Sequence, residues 1–159
     1  MKEAVARAKS IFDDLFTIND IIYIIINSFE DKPYDIAGND ISTVKSLITH
    51  IQNEDKYTFV STEDEEFSCT RYIIQASVKD IQTEKLIEEI IWSEIDGRNS
   101  LSGCVYWLNP RNNVIFYLYD DRGLDVISNT KENLKQVYLK FNNWILDYDR
   151  EKIDCTFAL

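Results

Sequence analysis

The stretch DIIYIIINSF, which runs from Asp20 to Phe29, is the strongest indication of the fold in this chain of 159 residues. β-branched and apolar residues occupy consecutive positions in it, instead of every second position. A run of this kind is typical of a strand that is buried on both faces of a sheet. We therefore predict that the stretch forms a central strand and that the rest of the fold is arranged around it.

Helices are predicted on both sides of this strand along the chain. Residues 2–16 place apolar side chains on one helical face. A second helix is predicted to begin after an N-cap at Asp40 and to end near Asn53. A third covers about 83–95, where Gly97 is placed to end it. These amphipathic patterns indicate helices that pack on a sheet.

Five further strands are predicted from short apolar or alternating runs. Several connections between them are too short for parallel crossovers. The predicted strands are Lys56–Ser61, Phe67–Val78, Cys104–Leu108, Val114–Tyr119 and Leu124–Ile127. The order α-β-α-β-β-α-β-β-β-α predicts one α+β domain over residues 1–159. Its antiparallel or mixed sheet has about five to six strands, with a C-terminal β-meander and helices packed on it.

The last predicted helix carries the longest apolar stripe in the chain. Asn129 and Glu132 have the spacing of a capping box that would start it. The chain after this helix is mixed in character and is expected to pack back partly. The stripe consists of Leu134, Val137, Tyr138, Phe141, Trp144 and Ile145.

The composition excludes several classes of partner. The formal net charge is −11, so the chain repels phosphate backbones, and nucleic acid and anionic membranes are not expected as partners. A basic protein would be attracted. The longest apolar run, Ile21 to Ile26, is too short to cross a bilayer, and the N-terminus lacks a signal-peptide pattern. Cys69, Cys104 and Cys155 are odd in number and widely spaced, which predicts buried, reduced thiols in a cytosolic protein.

The turn DDRG, Asp120 to Gly123, is the main candidate for a site. Asp120 suits a turn corner, and Gly123 suits a left-handed residue after a type I turn. Turn chemistry does not require Asp121, Arg122 or Asp125. These three side chains are therefore candidates for partner binding, together with Asp120 of the same turn.

An ion pair would give Arg122 a structural role. We expect Arg122 to be partly buried and bonded to the carboxylate of Asp147 or Asp149. Further partner-binding candidates are the acidic loop residues Glu63, Asp64, Glu65 and Glu66, together with Asp147 and Asp149.

Two alternatives to partner binding remain open. The first is a divalent-metal-dependent enzyme that uses Asp120, Asp121 and Asp125 with ligands from elsewhere, such as Asp147, Asp149 or Asp154. The second is a module that dimerises through the edge of the meander. No cofactor is predicted, because the chain lacks Walker and GxGxxG loops.

His50 is the single histidine. It lies off the apolar stripe of the second helix and is expected to be exposed. Metal sites with two or three histidines are therefore excluded. Tyr106, Trp107, Tyr117 and Tyr119 lie on adjacent strands, and those that face outward would form an aromatic surface suited to protein binding.

The segment from about Cys104 to Asp154 resembles an uncharacterised bacterial domain family of unknown function. Its members carry a hydrophobic strand, a D-D-R-G-x-D turn, a helix and W-x-x-D-Y-x-R. The turn is matched by residues 120–125, and the second motif by Trp144, Asp147, Tyr148 and Arg150. The resemblance implies a small stand-alone bacterial protein.

The leading hypothesis is a small acidic cytosolic protein-binding domain. In size and acidity the chain is similar to the immunity proteins of bacterial toxin systems. It would neutralise a cognate basic toxin by covering its active site.

Overall fold

The computed structural model describes residues 2–29, 39–61, 67–93, 101 and 104–158. Within these ranges the strands form one six-stranded sheet in the order β2-β3-β1-β4-β5-β6, and each neighbouring pair is antiparallel. The strands are β1 (Ile21–Phe29), β2 (Asn53–Ser61), β3 (Phe67–Ser77), β4 (Cys104–Asn109), β5 (Val114–Leu118) and β6 (Leu124–Ser128). The predicted α+β fold, with its C-terminal meander and its central first strand, is confirmed.

The described α-helices are separated by strands and by short 3₁₀ turns. They are α1 (Lys2–Leu15), α2 (Asn39–Ser46), α3 (Thr83–Ser93), α4 (Lys135–Phe141) and α5 (Asp147–Phe157). In this part of the chain, no helix combines the length and the apolar character needed to cross a bilayer.

The core lies between one face of the sheet and the helices. Ile22, Ile24 and Ile26 of β1 are fully buried on this face. Ile24 stands opposite Ile74 of β3 and Trp107 of β4, so the central strand packs against both neighbours. Because side chains alternate along a strand, every second residue of β1 reaches this core.

Phe12 of α1 connects the helix layer to the sheet. Its ring stacks on Phe16 at 4.2 Å and meets Trp107 and Phe116 edge-on at 6.0 Å and 5.6 Å. All four aromatic side chains are buried. Edge-on pairs are favoured by the ring quadrupoles, so the cluster contributes more than its buried area alone.

The second sheet face, opposite the core, is less covered than the sequence predicts. Tyr23 and Ile25 on this face are only half-buried, and Ile21 is exposed. The prediction that β1 is buried on both faces is therefore wrong. The buried apolar residues of α1, α2 and α3 join the core cluster on the first face.

Helix α2 is shorter than predicted, because its last residues are used by other elements. The helix ends at Ser46, not near Asn53, and Asn39 is already helical, so Asp40 is not its N-cap. The backbone of Thr49 donates to Asp80 at 2.8 Å, and Gln82 donates to Leu47 at 2.8 Å. These long-range bonds replace the helical bonds of the last predicted turn.

The C-terminal helix is broken where the apolar stripe predicts a continuous one. A 3₁₀ turn at Glu132–Leu134 precedes α4, and a second at Asn142–Trp144 follows it. Asn129 lies outside both, so the predicted capping box is wrong. The segment expected to be mixed forms α5, which packs back through a stack of Tyr138 on Phe157 at 4.2 Å.

The cysteines are free thiols, as expected from their spacing. Cys69 is buried and Cys104 is half-buried, but Cys155 is exposed on α5. The prediction of burial is therefore wrong for Cys155. This residue lies on α5, a helix without fully buried side chains that the sequence did not predict.

Candidate functional site

The DDRG turn is organised by the buried carboxylate of Asp120. β5 ends at Leu118 and β6 begins at Leu124, so residues 119–123 form the loop between them. One oxygen of Asp120 accepts the backbone N–H of Arg122 at 2.7 Å, and the other accepts its Nε–H at 2.7 Å. Burial alone would raise the pKa of Asp120, but the bonds from Arg122 outweigh it and lower the pKa. Asp120 is therefore a structural anion.

Arg122 differs from its prediction in its partner and in its burial. It is bonded to a carboxylate, as expected, but the structure shows that of Asp120 in the same turn, where the ion-pair prediction named Asp147 or Asp149. Its side chain is 78% exposed, however, so the expectation of partial burial is wrong. The contact with Asp120, two residues earlier, leaves the guanidinium at the surface of the turn.

Gly123 is explained by a close approach and not by a left-handed backbone. Its φ lies outside the left-handed range, contrary to the prediction. A Cβ at this position would lie 2.6 Å from the hydroxyl oxygen of Tyr119. The left-handed residue in the meander is instead Asn113, with φ 53°. Gly123 thus allows the Tyr119 ring to fold over the hairpin.

Gly123→Ala should cost about 1 kcal/mol, because the Tyr119 ring must shift to admit a methyl group. In a Tyr119→Ala background the same change should cost clearly less, since the clash is absent. Urea denaturation of the four proteins measures this coupling. Equal costs in both backgrounds would show that the Tyr119 contact is not the reason for glycine.

Asp121 and Asp125 are exposed, unlike Asp120. Asp125 stands opposite Tyr117 in the β5–β6 register. Burial raises the pKa of Tyr119, and the nearby charges of Asp125, Asp120 and Asp149 raise it further. Carboxylates from the hairpin and from α5 therefore act on the same ring.

The second motif supplies one structural arginine and one exposed tyrosine. Arg150 donates from Nη2 to the backbone carbonyls of Asn142 at 3.0 Å and Ile145 at 3.1 Å. It thereby fixes the turn between α4 and α5. Tyr148 is 95% exposed. Arg150 thus positions α5, whereas Tyr148 is available to a partner.

The hairpin and α5 line one cavity, which we call the hairpin cavity. It has a volume of about 570 Å³ and lies between α1, the β5–β6 loop, α4 and α5. The side chains of the predicted helical stripe line it together with residues of α1 and β6. Its apolar wall includes Ala4, Ile11, Val126, Leu134, Val137 and Phe141.

The charges around the hairpin cavity are mostly negative. Glu3 bonds to Arg7, whose guanidinium lies 5.4 Å from the centre of the Trp144 ring. Asp120 is bonded to Arg122. Asp121, Asp125 and Asp149 also line the cavity, and the structure shows no ion pair for them within its described residues. The cavity thus carries an excess of carboxylates.

The other candidates of the sequence are distributed differently. Asp147 is exposed at the start of α5, next to the cavity-lining Leu146. Asp154 accepts a bond from Tyr138 at 2.9 Å. The loop Glu63–Glu66 lies outside the described residues, so its role stays a prediction. His50 is exposed as expected, although it lies beyond the end of α2.

A metal centre receives no ligand set from the described residues. Asp120, Asp121 and Asp125 line the same cavity as Asp149, as the enzyme hypothesis requires. Nevertheless, across the described ranges no group of three His, Cys, Asp or Glu side chains is placed to hold an ion.

An aromatic row continues from the hairpin over the second sheet face. We use this name for Tyr106, Tyr117 and Tyr119. The Tyr106 and Tyr117 rings stack at 4.3 Å, and the Tyr119 ring lies 5.5 Å from Tyr117. Burial and the neighbouring Cys104 raise the pKa of Tyr117 above its ordinary value. Trp107 points to the core and does not join the row.

One buried polar network was not anticipated from the sequence. Asp20 accepts bonds from the Thr17 hydroxyl at 2.7 Å, the Asn109 amide at 2.8 Å and Arg111 Nη2 at 3.1 Å. Burial would raise the pKa of Asp20, but the bonds from Thr17, Arg111 and Asn109 lower it overall. The network joins the start of β1 to the β4–β5 turn. The signal in the sequence was an acidic residue directly before a buried strand, because a buried carboxylate needs bonding partners.

Comparison with known proteins assigns the chain to one family. The model of a domain of unknown function (DUF3885) matches residues 1–149. The uncharacterised protein YnaE of Bacillus subtilis (strain 168) is 21% identical over 151 residues, which cover 87% of this chain and 71% of that protein. No solved structure matches. Because the family model spans nearly the whole fold, the chain belongs to the DUF3885 family.

Proposed function

We propose that this domain binds a basic protein partner through the hairpin cavity and the adjoining aromatic row. The observation that carries the proposal is the excess of carboxylates above an apolar wall at the hairpin cavity. Asp121 and Asp125 come from the β5–β6 hairpin, and Asp149 comes from α5. Two segments distant in sequence thus contribute like charges to one concave surface.

The charge of the whole chain supports the same partner class. A net charge of −11 attracts a basic protein over several ångströms and accelerates association at low salt. The same charge continues to predict that nucleic acid is not a partner.

The aromatic row supplies a second type of contact. Tyr117 stands opposite Asp125, so the row begins where the charged hairpin ends. Tyrosines bury large areas at little entropic cost, and they are common at the centres of protein interfaces. Carboxylates beside tyrosines therefore favour a partner with both basic and apolar groups.

In its specific form, the proposal is that the domain is an immunity protein in the cytosol. Its acidic surface would cover the basic active site of a cognate toxin. This form is supported by the acidity and size of the chain, together with a concave surface that suits occlusion.

Neutralising Asp121 and Asp125 together should slow association with the partner about tenfold at low salt, because long-range attraction is lost. The partner to be tested is the protein encoded by the adjacent gene, co-expressed and captured with the domain. Association rates are then measured by biolayer interferometry for Asp121→Asn/Asp125→Asn.

The matched control is Glu84→Gln/Glu88→Gln, which removes the same charge from the exposed face of α3. Its association rate should stay within about twofold of wild type, because the charges lie away from the hairpin cavity. If no complex survives at low salt, or if both variants slow association equally, the proposed surface is wrong.

A further inference from the structure

We propose that the hairpin cavity is an anchor site for a basic amphipathic segment of the partner, in which an apolar group enters the cavity and an adjacent lysine or arginine meets its rim. The proposal rests on the proposed function, since it assigns this group to a protein. It adds to the proposed function the chemical class of the recognised segment, which is basic and amphipathic, and the hairpin cavity as the place where it binds.

The wall of the cavity determines the apolar part of the ligand. Ala4 and Ile11 of α1 line it together with Val137 and Phe141 of α4. The cavity volume of about 570 Å³ falls within the usual range of ligand sites. An apolar group entering it removes both its own surface and that of the wall from water.

The elements that form the wall are fixed to one another by contacts between α4 and α5. Arg150 fixes the turn between α4 and α5 through the Asn142 and Ile145 carbonyls. Phe157 stacks on Tyr138 and joins the other end of α5 to α4. The cavity is thus a preformed feature of the fold, which reduces the cost of binding.

The rim determines the charge of the ligand. Two of its carboxylates are already satisfied, since Glu3 bonds to Arg7 and Asp120 bonds to Arg122. Asp121 and Asp125 are exposed and Asp149 is half-buried, so these three stand between the cavity and solvent. An anionic ligand would be repelled there, whereas an ammonium or guanidinium group would be attracted.

Tyr119 lines the same cavity as Asp125 of β6 and Asp149 of α5. Burial raises the pKa of Tyr119, and the charges of these two carboxylates raise it further. The Tyr119 ring lies against Gly123 at the same rim. An aromatic ring beside carboxylates is also a favourable surface for a cation.

Three straight-chain probes of eight carbons each test the site without the partner. They are n-octylammonium, n-octanol and n-octanoate, titrated by ¹H–¹⁵N NMR. Octylammonium should shift resonances of the loop 119–123 and of α5, and it should bind about tenfold tighter than octanol. Octanoate should bind more weakly than octanol.

The variant Asp125→Asn/Asp149→Asn separates the rim from the wall. Its affinity for octylammonium should fall to within about twofold of its affinity for octanol, which itself should stay unchanged. Glu84→Gln/Glu88→Gln should retain the full preference for the cation. Equal binding of octanoate and octylammonium, or shifts confined to the second sheet face, would overturn the anchor site.

Competition distinguishes this proposal from the proposed function. If octylammonium binds at the cavity but no partner is captured, the anchor chemistry stands and the assignment to a protein fails. If a partner is captured and octylammonium does not displace it, the partner stands and the anchor site fails.

Discussion

Replacing Phe12 by alanine should lower the free energy of unfolding by about 3–5 kcal/mol. Phe12 is 0% exposed, and its ring contacts Phe16, Trp107 and Phe116 in one cluster. The substitution leaves a cavity where α1 meets the sheet, and these neighbours cannot all move to fill it. Urea denaturation, followed by tryptophan fluorescence, measures the loss.

Ile18→Ala is the matched control, since it also shortens an apolar side chain near the end of α1. Ile18 is 66% exposed, so its loss should change the free energy of unfolding by less than about 0.5 kcal/mol. A cost for Phe12→Ala below about 1 kcal/mol would mean that α1 does not close the core as described.

Replacing Asp20 by alanine should cost about 3 kcal/mol, because several donors lose their acceptor at once. The Asn109 amide is the most affected, since its side chain is fully buried. Asp13→Ala is the control, because it removes only an exposed ion pair with Lys9, worth less than about 1 kcal/mol. Equal losses in the two variants would contradict the network.

The same variant should change how stability depends on pH. The pKa of Asp20 is lowered in the folded protein, so unfolding takes up a proton once the pH approaches the ordinary value of 3.8. Its contribution is therefore present above that value and is lost as the pH falls through the folded pKa. The wild-type protein should lose more stability than Asp20→Ala between about pH 5 and pH 2. Parallel pH curves would exclude an ionised Asp20.

The sheet could be predicted because its signals are local. The run of isoleucines around Ile24 predicted a central strand, because consecutive apolar residues are typical of one. Alternation along the predicted strand Phe67–Val78 follows from the two-residue period of a strand. The helix faces of α1 and α3 were predictable for the same reason, with a different period.

Features that depend on distant partners were not predictable. The residues from Leu134 to Ile145 have the period of one continuous helix. The helix is nevertheless interrupted at Asn142, where Arg150 donates to backbone carbonyls of the turn. The role of Asp20 depends on Asn109 and Arg111, which a sequence pattern does not connect to it. A strand that is buried on one face only has the same sequence pattern as a fully buried strand when its second face is also apolar, as in β1.

The candidate site was predictable in its members but not in its form. The sequence indicated Asp121 and Asp125 as acids that turn chemistry does not require, and Asp149 as a further acidic candidate. It could not indicate that they line a cavity, because the cavity arises from the break between α4 and α5. Gly123 illustrates the limit, since the reason for glycine is the position of the Tyr119 ring.

The central position of β1 has a consequence for synthesis of the chain. Ile21 pairs with Ser77 and Tyr23 with Leu108, so both neighbours of β1 are made long after it. A nascent chain therefore presents an unpaired, isoleucine-rich strand while later segments are still being translated. Such a strand is prone to aggregate and folds slowly because its contacts are distant in sequence. Yield in the cell should therefore depend on chaperones that shield β1 before β3 arrives.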